Sequence, residues 1–105
     1  MLPLSQRTER LLRATIQKSA ERSRVSSLLE TEVGQNLPFC EERTAVEMER
    51  IRFAVIRLIV EDSETASEAV DLAKTDWRDL LMAAEFGHRV EAHLDWFRSA
   101  TGEPP

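Results

Sequence analysis

Apolar residues recur along the chain at helical spacing, in stretches separated by capping residues or helix breakers. Leu11, Leu12 and Ile16 follow Ser5, a good N-cap, and predict a first helix. Val25, Leu28, Leu29 and Val33 fall at i, i+3, i+4 and i+8, with Gly34 where a left-handed C-terminal cap is expected. Whether residues 5–33 form one helix or two turns on the stretch from Ser19 to Ser23; its serines favour a break. Residues 35–43 read as a connection. Pro38 pushes Leu37 out of helical geometry, and Leu37 and Phe39 are expected to plug the core.

The stretch 44–60 carries the most information. Thr44-Ala45-Val46-Glu47 is a capping-box pattern, in which hydroxyl and carboxylate satisfy each other's orphan backbone donors. Eight of the ten residues from 51 to 60 are apolar. Spacing residues about 100° apart gathers Glu47, Arg50, Arg57 and Glu61 into one polar stripe. Met48, Ile51, Phe53, Val55, Ile56, Leu58, Ile59 and Val60 spread over the rest. An apolar surface that wide is covered from more than one side, which predicts either the centre of the fold or a protein interface. Arg52, inside the apolar arc, is expected to snorkel or to pair with Glu49.

Thr65-Ala66-Ser67-Glu68 is a second capping box, opening a short helix with Ala66, Ala69, Val70 and Ala73 inward. Asp76 caps another, in which Trp77, Leu80, Leu81 and Ala84 share a face and Gly87 supplies the stop. A last helix takes Val90, Leu94 and Phe97, with Trp96 nearby. Strand is the rival reading for 51–60, which is rich in β-branched residues, but no neighbouring segment offers alternation or a hairpin turn. The predicted fold is therefore all-α: a compact bundle of five or six helices around a central apolar helix, about 45–61. One domain spans 1–105, with a basic helical region over about 5–33 and a frayed tail at 101–105.

Length allows a single core that buries roughly 60–65% of the unfolded surface. With 42% hydrophobic and 31% charged residues the composition is that of a globular protein. Cys40 is the one cysteine and has Glu41 and Glu42 beside it, so it reads as a structural or incidental thiol in a reducing compartment. The N-terminal residues lack the apolar core of a signal peptide, and no apolar run reaches the ~20 residues of a membrane span. A cytoplasmic protein without membrane contact is expected. Net charge is -5 and lopsided: residues 1–24 balance to +4 and residues 25–105 to -9. A basic arm could touch nucleic acid or lipid, but lying against its own acidic body is the simpler reading.

Catalytic signatures are missing from this pattern, and no cofactor or metal is expected. Glu85-Phe86-Gly87-His88 spells the Glu-x-x-His of di-metal bundles, yet only once and across a glycine. His93 reads as a partly buried, hydrogen-bonded histidine beside Trp96. The helices flanking Lys74-Thr75-Asp76 have helix-turn-helix proportions. Residues 63–86 hold two basic and six acidic groups, however, which disfavours nucleic acid as a partner. Trp77 and Arg78 form the densest polar-aromatic cluster and are candidate contact residues, because Trp and Arg dominate binding hot spots. Arg50, Arg57 and Trp96 complete the candidate interaction set; Trp77 as core filler and Arg78 paired with an acidic neighbour is the structural alternative.

The segments Asn36-Leu37-Pro38-Phe39-Cys40, Glu49-Arg50-Ile51-Arg52-Phe53-Ala54 and 75–84, Thr-Asp-Trp-Arg-Asp-Leu-Leu-Met-Ala-Ala, together resemble a group of short uncharacterised bacterial proteins. The resemblance implies a bacterial, helical protein and transfers no activity. The chain departs from that group at Glu85, where a glycine stands in its members, and at Arg57-Leu58-Ile59.

The leading functional expectation is a small non-enzymatic module that binds another protein or itself. A sharper variant is an immunity- or antitoxin-like acidic protein that neutralises a basic partner. The rival is a small-molecule binder or enzyme with a pocket lined by Trp77, Trp96, His93 and acidic residues.

Overall fold

Three helices begin at the predicted caps Ser5, Thr65 and Asp76. A computed structural model describes residues 3–34, 45–63, 65–87, 89 and 91–102. Its helices are α1 (Gln6–Thr15), α2 (Ser19–Glu32), α3 (Ala45–Glu61), α4 (Ala66–Thr75), α5 (Trp77–Ala83) and α6 (Ala92–Thr101). Among the described residues there is no strand, and the fold is all-α. The radius of gyration, 12.3 Å, matches a packed chain of this length at roughly 13 Å. Expectations for Leu37, Pro38, Phe39, Cys40, the Thr44 cap, His88, Val90 and residues 103–105 lie outside the described residues.

Ser5 caps α1 by accepting from the Thr8 amide at 3.1 Å. The α1–α2 break falls at Ile16 to Lys18, ahead of the Ser19–Ser23 stretch to which the serines point; Ser19 already belongs to α2. Ile16 leaves the helix in extended geometry with its side chain buried, and its carbonyl accepts from Arg22 Nη1 at 3.1 Å.

α3 packs against α1, α4, α5 and α6. Met48, the whole run from Ile51 to Ile56, and Leu58 are buried, Ile59 is half-buried, and Val60 is exposed. The chain thus covers most of its own wide apolar face. This removes the reason for placing that face in an interface with another molecule.

Arg52 corrects a second expectation. It neither snorkels nor turns to Glu49; it is 2% exposed and caps the C-terminal end of α2. Its Nε donates to the Val33 carbonyl at 2.9 Å, Nη2 to Leu29 at 3.2 Å, and Nη1 to Pro3 at 3.0 Å. Orphan carbonyls at a helix C-terminus carry partial negative charge, so a planar cation with several donors suits them. Burial lowers the Arg52 pKa, while the charge of Glu30 opposes that shift. Glu49 instead accepts from Ser5 Oγ at 2.6 Å and lies 3.7 Å from Arg7 Nε.

The Thr65–Glu68 capping box forms in full. Asp76 ends α4 and caps α5, accepting from the Arg78 and Asp79 amides. A single shared cap residue leaves no room for the three- or four-residue turn of a helix-turn-helix motif. Lys74 of α4 pairs with Glu32 of α2 at 2.8 Å, which raises the lysine pKa.

The stop after α5 is not Gly87. α5 ends at Ala83, and Glu85 holds the left-handed conformation with φ 64°. The Phe86 amide donates to Leu81 at 2.8 Å and the Glu85 amide to Met82 at 3.0 Å, the two bonds of a Schellman cap. Buried Phe86 and Leu81 supply its hydrophobic contact. The register of α6 also differs from the predicted one. Ala92, His93 and Phe97 are buried and Leu94 only half-buried. Thr101, predicted to fray, is the last residue of α6, closed by left-handed Gly102 at φ 74°.

A candidate docking groove beside α3, α5 and α6

The groove begins from an aromatic floor. Phe53 of α3 stacks on Phe97 at 5.4 Å between ring centroids, and His93 meets Phe53 edge-on at 5.6 Å. Phe86, delivered to the core by the Schellman cap, packs against His93 at 6.3 Å and against Trp96 at 6.0 Å. His93, 1% exposed, is a member of this floor.

Arg57 lies over that floor, its guanidinium 5.3 Å from the centre of Phe86 and 5.6 Å from that of Trp96. It forms ion pairs with Glu61 and Glu85, each at 3.4 Å. Glu61 in turn accepts from Trp96 Nε1. Arg50, two turns earlier on α3, donates from Nη2 to the carbonyls of Phe86 and, at 3.2 Å, Arg89. That clamp fixes the α5–α6 connection against α3. Arg89 pairs with Asp95 at 2.9 Å.

An open groove of about 580 Å³ results, lined by Arg57, Met82, Glu85, Gly87, Arg89, Ala92, Asp95 and Trp96. Met82 is its exposed apolar element, with 67% of its surface open to solvent. Its thioether lies where a Cβ on Gly87 would stand, so the bare glycine makes room for it. An exposed methionine beside a tryptophan and paired ions offers an adaptable apolar contact inside a charged rim.

The expected contact residues separate into two groups. Arg57 and Trp96 line this groove, and Arg50 braces it through the Phe86 and Arg89 carbonyls without lining it. Trp77 and Arg78 do not line it; Arg78 stacks over Trp77 at 5.5 Å, and Trp77 packs half-buried against the core. The predicted pocket of Trp77, Trp96 and His93 therefore does not assemble, because His93 is sealed beneath the groove and Trp77 begins the helix that Met82 nearly ends. Glu85 lies beyond the end of α5, so the Glu-x-x-His spacing does not occupy one helical face. Met82, Glu85, Arg89 and Asp95 join the site although the sequence does not mark them as contact residues. Met82 has a signal there, an apolar residue off the inward Leu80-Leu81-Ala84 spacing. Glu85 and Arg89 sit in irregular backbone, where spacing carries no information.

Among the described residues no group of three or more His, Cys, Asp or Glu side chains is placed to hold a metal ion, and no helix is long and apolar enough to cross a membrane. Comparison with known protein families, with curated proteins and with solved structures returns no match.

Proposed function

We propose that the chain is a protein-binding module without catalytic activity, and that it docks a basic segment of a partner protein in the groove beside α3, α5 and α6. The observation that carries this reading is Met82, an exposed apolar side chain in the same groove as Trp96, inside a rim of two carboxylates, Glu85 and Asp95, paired with Arg57 and Arg89. Trp and Arg concentrate binding energy in protein contacts, and Met adapts to varied partner surfaces. The groove lining itself is neutral, so charge steers a basic partner through the surrounding body, residues 25–105, which balance to -9. A large apolar side chain of the partner would rest on Met82 and Trp96, with its lysines or arginines facing Glu61, Glu85 and Asp95. The module would belong to a bacterial cytoplasmic protein, in keeping with the resemblance described above.

A displayed library of random peptides tests the proposal whatever the partner's identity. Enriched peptides should share one large apolar residue among basic ones, and should lose binding to Met82→Asp and Trp96→Ala variants that retain the helical circular dichroism of the wild type. Enrichment insensitive to both variants, or a consensus rich in acidic residues, would overturn it.

A further inference from the structure

We infer that the cleft between α1 and α2 binds a phosphate monoester. This cleft, about 430 Å³, is lined by Arg13, Arg22, Ser23, Ser26 and Ser27, with Glu9 on one wall and Leu12 at the base. The serines stand at i, i+3 and i+4 of α2, so their hydroxyls share one helical face. Val25 and Leu29, on the opposing side of the same helix, are buried in the core, which fixes the serine face outward. Arg22 is half-buried and held by its Nη1 bond to the Ile16 carbonyl, at the mouth of the α1–α2 turn.

The donor set selects the ligand. Two guanidinium groups and three hydroxyls offer more donors than the two oxygens of a carboxylate can accept. A phosphate monoester presents three terminal oxygens and about -1.5 to -2 charges near neutral pH, which matches both the donors and the arginine forks. Glu9 offsets one of the two arginines, leaving the lining at +1 within the one region of the chain, residues 1–24, that is basic. The volume lies within the range of small-ligand pockets, roughly 300–1,000 Å³. Buried Leu12 adds an apolar base that suits an organic carrier of the phosphate.

Amide-resolved NMR titration at constant ionic strength tests the assignment, with AMP, inorganic phosphate, adenosine and a thymidine octanucleotide as probes. Saturable shifts confined to residues near 12–13 and 22–27 are expected for AMP, and none there for adenosine. AMP binding more tightly than inorganic phosphate supports the monoester; equal affinity overturns it in favour of the free anion. Arg13→Gln, at an exposed position, should weaken AMP binding about tenfold, and Ser26→Ala should weaken it while leaving the fold intact. Shifts that grow linearly and spread over every arginine, or an AMP affinity unchanged in Arg13→Gln, overturn the site. Binding of the octanucleotide without binding of AMP overturns it as well.

Discussion

The N-terminal pair α1–α2 and the C-terminal pair α5–α6 are joined to the same helix by different means. Toward α1 and α2, α3 offers Glu49 and Arg52, and the seam is made of hydrogen bonds to Ser5, Pro3, Leu29 and Val33. Toward α5 and α6 it offers Phe53 and Arg57, and beside the Arg50 clamp the seam is filled by rings, with the Arg57 cation lying over Phe86 and Trp96. Two arginines five residues apart thus receive different treatment. One is buried and must be matched by carbonyls, because a desolvated charge without partners is costly. The other keeps partial access to water and spends its face on aromatic surface. Polar matching of the first kind locks a helix end in place; stacking of the second kind leaves a groove beside it.

The largest effect tests the helix that both seams share. Ile56 is 0% exposed, so Ile56→Glu places a charge in the core. It should cost about 5 kcal/mol or more, comparable to the whole stability of a small domain, and abolish the helical circular dichroism. A dimeric wild type whose Ile56→Glu variant is a folded monomer by light scattering would instead return this face to an interface.

Next come the two arginines. Arg52→Ala removes the donors of three carbonyls and should lower unfolding free energy by about 3 kcal/mol in urea, with amide exchange rising first in α1 and α2. Arg57→Ala, losing an exposed stack and surface ion pairs, should cost about 1 kcal/mol. Equal costs would break the comparison.

A smaller effect, of opposite sign, belongs to the C-terminal region. Glu85 occupies the left-handed position of the Schellman cap, which a side chain disfavours. Glu85→Gly should stabilise the chain by about 0.5 kcal/mol, the relief of strain being offset by the lost Arg57 pair and by a freer unfolded chain. Chemical denaturation would read it, and destabilisation would mean that the pair outweighs the backbone.

The smallest is a pH effect at the start of α4. The Thr65 hydroxyl and amide hold the Glu68 carboxylate below its usual 4.5. A depressed folded pKa gives stability that is complete above 4.5 and lost as pH falls through the folded value. Wild type should therefore lose melting temperature relative to Glu68→Gln as pH drops from about 5.5 through that window. Parallel curves for the two proteins would remove the cap as a source of acid sensitivity.

What acts over three or four residues is legible in the chain alone. Ser5, the Thr65–Glu68 box and Asp76 announce their helices because a cap satisfies amides one turn away. The inward faces of α4 and α5 follow from periodicity, and so does the all-α class. Met82 is legible in the same pattern, as the apolar residue facing outward. Where the long side chains go is a matter of packing. Arg52 reaches carbonyls 19, 23 and 49 residues away, and Arg50 one 36 residues away. His93 enters the core and Leu94 stays half out because Phe53 and Phe86 are there to meet the imidazole. Glu85 takes the left-handed position ahead of Gly87 because the turn has to bury Phe86, and burying a ring outweighs the strain of one backbone position. Local signals are set by chemistry within a helical turn, whereas the groove exists only once segments thirty residues apart have packed.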